Sequence, residues 1–187
     1  MKQHIGIATR LTIVSIILFC GVYTLIVLGF AQIAPGKGEG EKIIVNGKTM
    51  GYVLEGQSFT ADKYFNGRPS AAGYNAAGSA GSNKGPSNPE YLKTVHDRID
   101  SLLVHNPGIN RKDIPAELVT ASGSGLDPDI SPDAAFIQLK RIAAARNIPE
   151  QKIRNLINNH IQKPLLGLMG TEIVNVLQLN IDLDKLQ

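Results

Sequence analysis

The sequence contains no tryptophan and only one cysteine, Cys20, among its 187 residues. Aromatic residues make up 5% of the chain, so a hydrophobic core must be built mainly from aliphatic side chains. A single cysteine cannot form an intrachain disulfide, and it cannot supply the several thiolates of a zinc site. The sequence therefore excludes a disulfide-stabilised fold and a thiolate metal centre.

A strong excess of charge of one sign is also lacking. The chain has 19 lysine and arginine residues against 16 aspartate and glutamate residues. Lys2 and Arg10 precede a long apolar segment, which leaves 17 basic residues for the rest of the chain against the same 16 acidic ones. Nucleic-acid-binding domains carry a marked basic patch or excess. We therefore expect no nucleic-acid partner.

The common catalytic signatures are missing as well. There is no G-x-x-x-x-G-K-[ST] phosphate loop, no H-E-x-x-H metal motif and no G-x-S-x-G nucleophile elbow, and the four histidines are scattered. Asp127, Asp129 and Asp133 are close in sequence but do not have EF-hand spacing. A hydrolase that uses Ser122 or Ser124 remains an alternative, although no base is apparent. We predict no catalytic residue and no metal ligand.

A long apolar run, by contrast, is present at 11–30 (LTIVSIILFCGVYTLIVLGF), where leucine, isoleucine, valine and phenylalanine fill 13 of 20 positions. Twenty helical residues span roughly 30 Å, the thickness of the hydrocarbon core of a bilayer. These side chains contribute on the order of −4 to −8 kcal/mol to insertion. A cleaved signal peptide is the rival interpretation, but its apolar core is usually shorter. We favour a retained single-pass anchor.

The anchor divides the chain into four predicted segments. They are a short cytoplasmic tail at 1–10, the transmembrane anchor at 11–33, a Pro- and Gly-rich linker at 34–41 and an extracytoplasmic domain at 42–187. Lysine and arginine are nearly balanced on the two sides of the anchor, so the orientation with the N-terminus inside rests on the short basic tail. We expect a single-pass membrane protein whose N-terminal tail stays inside and whose large C-terminal domain is exported.

Periodicity predicts an α+β fold for this domain. Residues 42–59 indicate a hairpin that turns at Asn46-Gly47. Three helices follow, starting at Pro89, at Ser131-Pro132 and at Pro149-Glu150. The second helix is expected to bury Ala135, Phe136, Leu139, Ile142 and Ala143 and to expose Lys140, Arg141 and Arg146. On the third, His160 is interpreted as a core or rim histidine. Alternating leucine and polar residues at 175–184 predict a closing strand.

Two irregular loops interrupt this pattern. The first, at 64–89, is rich in glycine, proline and small polar residues, and its Arg68 either binds a carboxylate or holds its own loop. The second, at 119–133, contains Ser122, Gly123, Ser124 and Gly125, whose backbone N–H groups could form an anion-binding nest. The nearby aspartates would repel an anion. The spacing alone therefore favours a structural loop.

The residues of these loops resemble one known family. The segments 64–71 (YFNGRPSA), 81–83 (GSN), 88–89 (NP), 119–128 (VTASGSGLDP), 130–132 (ISP), 174–177 (VNVL) and 179–180 (LN) together resemble the C subunit of Kdp-type potassium-transporting ATPases. Ala80 replaces an expected glycine, and Asp129 stands where a histidine is common. The single N-terminal anchor also fits, and the resemblance extends over nearly the whole chain.

The resemblance implies a non-hydrolytic accessory subunit of an ATP-driven, high-affinity potassium import complex. Its partners would be a channel-like A subunit, a P-type B subunit and a small F subunit in the lipid bilayer. The subunit would assist assembly and act as a catalytic chaperone that raises the ATP affinity of the B subunit. ATP and potassium would belong to the complex, and this chain itself would bind no cofactor.

Contact residues depend on the orientation of the domain. For an external domain, which would cap the potassium entrance of the A subunit, the candidates are Arg68, Ser82, Asn83, Asn88, Leu126 and Asp127. For an internal domain, the candidate nucleotide nest is Ser122, Gly123, Ser124 and Gly125. The alternative function outside the family is a membrane-tethered periplasmic module that binds a peptide or a glycan.

Overall fold

The computed structural model describes residues 2–186, which separate into two units that meet in sequence at Lys42 and Ile43. The first unit is helical over nearly its whole length. Helix α1 spans Lys2–Ile16 and α2 spans Tyr23–Ile33, and a wide π-type turn at Ile17–Val22 joins them without a break. Within this turn region the Thr24 hydroxyl donates to the Phe19 carbonyl oxygen, five residues earlier, at 3.2 Å.

The apolar span is longer than the sequence pattern suggests. It runs over 30 residues, His4–Ile33, with a mean hydropathy of 2.6. A helix that is apolar on all sides is stable only in an apolar environment. It is one candidate membrane span. Beyond it, the linker forms a short 3-10 turn at Pro35–Gly38, and Glu39 pairs with Lys42 at 2.8 Å.

The second unit begins with the predicted hairpin. Strand β1 spans Lys42–Val45 and β2 spans Lys48–Tyr52. Asn46 and Gly47 between them have positive φ values of 52° and 76°, as a type I′ turn requires. A second small sheet pairs β3 (Asp129–Ile130) with β4 (Val174–Asn175) in antiparallel register, with Ile130 opposite Val174. The α+β class is confirmed.

Up to residue 186, the last that the structure describes, five α-helices follow in this unit. They are α3 (Pro89–His105), α4 (Pro132–Phe136), α5 (Leu139–Arg146), α6 (Glu150–His160) and α7 (Val176–Lys185). The predicted caps are confirmed, since Asn88 accepts from the Tyr91 N–H and Ser131 from the Ala134 N–H. His160 is confirmed as a rim histidine, because its Nε2 lies 2.9 Å from Asp182 Oδ2.

The predicted second helix is divided into α4 and α5 by a turn at Ile137 and Gln138. Its predicted polar face is also partly wrong, because Arg141 is only 7% exposed. Gln138 lies four residues after Ala134, and Arg141 lies three residues after Gln138, so both fall on the buried stripe of the helix. Hydrogen bonds to the 62–66 loop and to Asn106 compensate for their burial.

The predicted strand at 175–184 is wrong beyond its first residue. Residues 176–185 form α7, capped by the Asn175 side chain, which accepts from the Gln178 N–H. The alternation of leucine with polar residues indicates the period of two of a strand only if the polar Asn180 faces solvent. Asn180 is in fact 2% exposed, so the buried positions recur at helical spacing.

The core of this unit lies among α4, α5, α6 and α7 and the short β3–β4 sheet. Phe65, which comes from the irregular 64–89 loop, is completely buried at its centre. The loop is therefore part of the packed domain. The largest fully buried aliphatic side chains beside it are Ile130, Leu139, Ile142, Ile153, Ile157, Val174, Leu179 and Leu183.

Candidate functional site

The two loops that the sequence singles out meet in the structure. The Ser70 hydroxyl donates to the Gly125 carbonyl at 2.6 Å, and the Ser79 hydroxyl donates to the Ser124 carbonyl at 2.7 Å. In the opposite direction, the Ser122 N–H donates to the Pro69 carbonyl at 3.0 Å. We call the surface formed by residues 68–83 and 122–127 the loop face.

Glycines make this close approach possible. At Gly125, φ is +71°, and an added Cβ would lie 2.7 Å from the Ala80 carbonyl oxygen. At Gly56, an added Cβ would overlap the Asp127 carbonyl oxygen. Gly125 is therefore required for its backbone conformation, and at both positions a side chain would not fit.

Arg68 and Asp127, two of the predicted contact residues, bind each other across the loop face. Arg68 Nη1 lies 2.8 Å from Asp127 Oδ2, and the two side chains are 26% and 28% exposed. The carboxylate also accepts the Asp129 N–H at 3.1 Å. Tyr74 donates its hydroxyl to the Arg68 carbonyl at 2.6 Å, and burial raises the pKa of Tyr74. Arg68 thus binds a carboxylate of the same domain, and this ion pair joins the two loops.

The predicted nest at 122–125 has already used much of its hydrogen-bonding capacity. The Gly125 N–H donates to the Ser122 hydroxyl oxygen, and the Leu126 N–H donates to the Ser124 hydroxyl oxygen. The N–H of Ser122 is bonded to Pro69, as described above. These bonds also occupy both serine hydroxyls with backbone groups. A phosphate would have to displace them and to approach the neighbouring aspartates.

The remaining predicted contact residues differ in exposure. Asn88 is half-buried and uses its side-chain oxygen to cap α3, and the Leu126 carbonyl accepts the Gly56 N–H at 2.8 Å. Ser82 is half-buried, whereas Asn83 is exposed with a positive φ of 50°. Asn83 is therefore the predicted residue whose side chain is most open to solvent.

A cleft of about 380 Å³ on the same unit was not anticipated from the sequence. Its lining includes two arginines, Arg98 from α3 and Arg141 from α5, and we call it the arginine cleft. Asp62 and His105 also line it and form a hydrogen bond, with 2.9 Å between Oδ1 and Nδ1. The sequence signal for Arg141 was its place on the buried stripe of its helix. Arg98 has no comparable signal.

An apolar tip at 164–170 (PLLGLMG) was also missed. Leu165, Leu166, Leu168 and Met169 are 66–89% exposed, although Leu165 and Met169 exchange backbone hydrogen bonds at 3.0 and 3.1 Å. Leu166 has a positive φ of 56°, which is unfavourable for leucine. The feature of the sequence that could have indicated this tip is a continuous apolar run with neither helical nor strand periodicity.

Within residues 2–186, no group of three or more histidine, cysteine, aspartate or glutamate side chains is placed to hold a metal ion. The loop face consists mainly of serine, glycine, alanine and asparagine residues, with one internal ion pair. This chemistry suits the recognition of another surface better than the activation of a substrate.

Comparison with known proteins gives a consistent result. The family model described as "KdpC: K+-transporting ATPase, c chain" matches residues 5–185. A potassium-transporting ATPase KdpC subunit from Bacteroides fragilis is 52% identical over 181 residues, which cover 95% of each chain. The corresponding subunit from Flavobacterium psychrophilum is 53% identical and covers 95% of this chain and 96% of its own. One from Caldanaerobacter subterraneus is 42% identical, with 98% and 95% covered.

Proposed function

This chain belongs to the KdpC family, the c chains of K+-transporting ATPases, and from that membership we propose that it is a non-hydrolytic accessory subunit of an ATP-driven potassium import complex. The observation that carries the proposal is the similarity over nearly the whole length, at about half of all positions, to proteins named as that subunit. Its partners would be a channel-like A subunit, a P-type B subunit and a small F subunit.

The subunit would sit in the bacterial inner membrane through one helix. The 30-residue apolar span His4–Ile33 supports this placement, since it is long enough to cross a bilayer even when tilted. We further propose that the short N-terminal segment is cytoplasmic and that the domain from residue 42 onward is periplasmic. The basic residues Lys2 and Arg10 before the apolar core support this orientation.

In the complex, the subunit would assist assembly and raise the ATP affinity of the B subunit without holding ATP at a site of its own. The internal hydrogen bonds of the 122–126 backbone and the proximity of Asp127 disfavour a nucleotide nest there. An indirect effect is a coupling free energy between two sites of one assembly. Direct contact with ATP through Ser122–Gly125 is the alternative, and it requires a cytoplasmic domain.

The loop face is the proposed contact surface for the A subunit, where an external domain would cover the potassium entrance. Asn83 and Gly123 are exposed there, while the Arg68–Asp127 pair fixes the loops beneath them. A Cβ added at Gly123 would meet no described protein atom within 4 Å, so a side chain can leave the backbone there without a clash at its first atom.

Co-purification tests the proposal and the contact surface together. The tagged chain, extracted in mild detergent, should recover the A and B subunits in stable amounts. Gly123→Arg should reduce this recovery several-fold, whereas Ala144→Arg, at an exposed position of α5, should not. Recovery of the unaltered chain alone would overturn the proposal and favour a membrane-tethered binding module. Equal recovery with both variants would remove the loop face from the contact.

Orientation is tested separately by thiol labelling. The native thiol is first removed by Cys20→Ala, and Ser79, which is exposed on the loop face, is replaced by cysteine. An impermeant reagent should label this cysteine on intact spheroplasts. A cysteine at His4, on the other side of the apolar core, should be labelled only after lysis. The reverse pattern would place the domain in the cytoplasm and restore direct contact with ATP.

A further inference from the structure

The arginine cleft has the size and chemistry of a site for a small organic anion, although nothing in the subunit's proposed role calls for one. A volume of about 380 Å³ is within the range of ligand-binding cavities. Side chains on its wall include the apolar groups of Phe59, Leu102 and Leu118. A ligand with an apolar body and a polar end would be matched by such a lining.

Arg141 gives the cleft a positive charge whose shortest contacts are with neutral oxygens. Its guanidinium donates to Asn106 Oδ1 at 3.0 Å and to the Asp62 carbonyl, Asn66 Oδ1 and Gln138 Oε1 at 2.7 Å each. The Asp62 carboxylate lies farther away, at 3.8 Å, and also pairs with His105. Burial lowers the pKa of Arg141, as expected for a cation in a region of low dielectric.

Arg98 supplies the N–H groups that are free to bind a ligand. Its Nη1 donates to the Val119 carbonyl at 3.0 Å, and this is the one hydrogen bond that the guanidinium makes within the described part of the chain. A guanidinium has five N–H groups, so most of its donors are left for a ligand. Two of them can bind a carboxylate in parallel, which is the strongest neutral-pH pairing available to an arginine.

We propose that the arginine cleft binds a small organic carboxylate, which Arg98 holds through its guanidinium while Phe59 and Leu102 contact the apolar body. The carboxylate can belong to a free solute or to an aspartate or glutamate side chain of an assembly partner. The Asp62 carboxylate opposes such a ligand, but its side chain is 54% exposed, so solvent screens that charge. The binding does not depend on the potassium-transport proposal and is measured on the isolated chain.

The test uses sodium benzoate and the uncharged benzamide, which has nearly the same shape. The full-length chain in detergent is titrated calorimetrically with each, at matched ionic strength. Benzoate should give saturable one-site binding in the millimolar range or tighter, and benzamide should bind at least about tenfold more weakly because it lacks the charge-assisted hydrogen bonds. Equal binding of the two, or no saturation by benzoate, would overturn the proposal.

Variants identify the site. Arg98→Gln keeps a polar side chain on α3 but removes the charge, and it should weaken benzoate binding by about tenfold or more. Lys93→Gln removes a positive charge from the exposed face of the same helix and should leave binding unchanged. Ser101→Phe, at an exposed position of the cleft lining, should block both compounds without removing an arginine. Unchanged binding in Arg98→Gln and Ser101→Phe would place the benzoate elsewhere and refute the assignment.

The source of the carboxylate is decided in the assembled complex. If benzoate binds the complex as it binds the isolated chain, the cleft serves a free solute. If binding is lost on assembly and returns when the subunits separate, a partner's carboxylate occupies the cleft. Both results agree with carboxylate recognition, and they differ only in its origin.

Discussion

Asn180 holds Phe65 through both backbone polar groups of that residue. The Phe65 N–H donates to Asn180 Oδ1 at 2.8 Å, and Asn180 Nδ2 donates to the Phe65 carbonyl at 2.9 Å. Phe65 is fully buried and Asn180 is 2% exposed, so neither backbone group can turn to water instead. This pair fastens the irregular loop to the last helix and places an aromatic ring from a loop in the centre of the core.

Asn180→Ala should therefore destabilise the domain strongly. It leaves a buried N–H and a buried carbonyl without partners, which costs about 2–4 kcal/mol in the free energy of unfolding. Chemical unfolding in detergent, followed by far-UV circular dichroism, measures the loss. Asn158→Ala, at an exposed position of α6, serves as the control and should change the stability by less than about 0.5 kcal/mol. Similar losses in both variants would contradict the role of the pair.

Gly125→Ala should damage the loop face, while Gly123→Ala should not. Gly125 has a φ of +71° and lies against the Ala80 carbonyl, whereas Gly123 has open space around it and no positive φ. The left-handed conformation and the clash together should cost about 2 kcal/mol or more at position 125. At position 123 we expect no change, or a gain of up to about 1 kcal/mol. Thermal unfolding of both variants and of the parent protein measures these changes in stability.

The Arg68–Asp127 pair should show a measurable coupling energy. Both side chains are less than one third exposed, and their charged atoms are 2.8 Å apart. In a double-mutant cycle with Arg68→Gln and Asp127→Asn, we expect the two losses in unfolding free energy to be non-additive by about 1 kcal/mol. Strict additivity would show that each residue acts through other contacts.

Asp129→Asn should stabilise the domain at neutral pH. Burial is the main cause that raises the pKa of Asp129 above its ordinary value, against the lowering effect of the hydrogen bond from Asn175. The folded state therefore holds this proton to higher pH than the unfolded state, and the contribution of Asp129 to stability falls as the pH rises from the ordinary carboxyl pKa through the raised one. The variant should lose this part of the pH dependence in unfolding experiments between acid and neutral pH.

Asp182→Asn should change the stability at neutral pH in the opposite direction. A hydrogen bond from Lys185 is the main cause that lowers the pKa of Asp182, so its contribution is present above the ordinary carboxyl pKa and is lost as the pH falls through the lowered one. This variant should be less stable than the parent at neutral pH, and the difference should disappear in strong acid. If both aspartate variants shift stability in the same direction at neutral pH, the assignment of their environments is wrong.

Leu166→Asn should raise the Tm of the protein. Leu166 adopts a φ of +56° with its side chain 83% exposed, and asparagine tolerates that conformation better. The relief of strain should be worth about 1 kcal/mol. Leu168→Asn removes an equally exposed leucine from a residue without positive φ, and it should leave the Tm unchanged. No difference between the two variants would show that the tip stores no backbone strain.

Features that depend on neighbouring residues in the chain were predictable from the sequence. The apolar span needs only hydrophobic length, and the hairpin needs an Asn46-Gly47 pair that accepts positive φ. The caps at Asn88 and Ser131 act within three residues of their own positions. The family resemblance rests likewise on short motifs, and the full-length match confirms it.

Features that depend on residues far apart in sequence required the tertiary structure. The sequence pattern places Asn180 and Arg141 in solvent, although both are buried. A polar side chain is buried only where a partner compensates it, and a distant partner is not visible in the local sequence. Those partners, Phe65 and the 62–66 loop, lie more than 70 residues away. This long-range packing also explains why residues 176–185 form α7 and not the predicted strand. It likewise brings the residues of the arginine cleft together. Local chain chemistry thus determined the anchor, the turns and the caps, whereas long-range hydrogen bonding decided which polar groups lie inside.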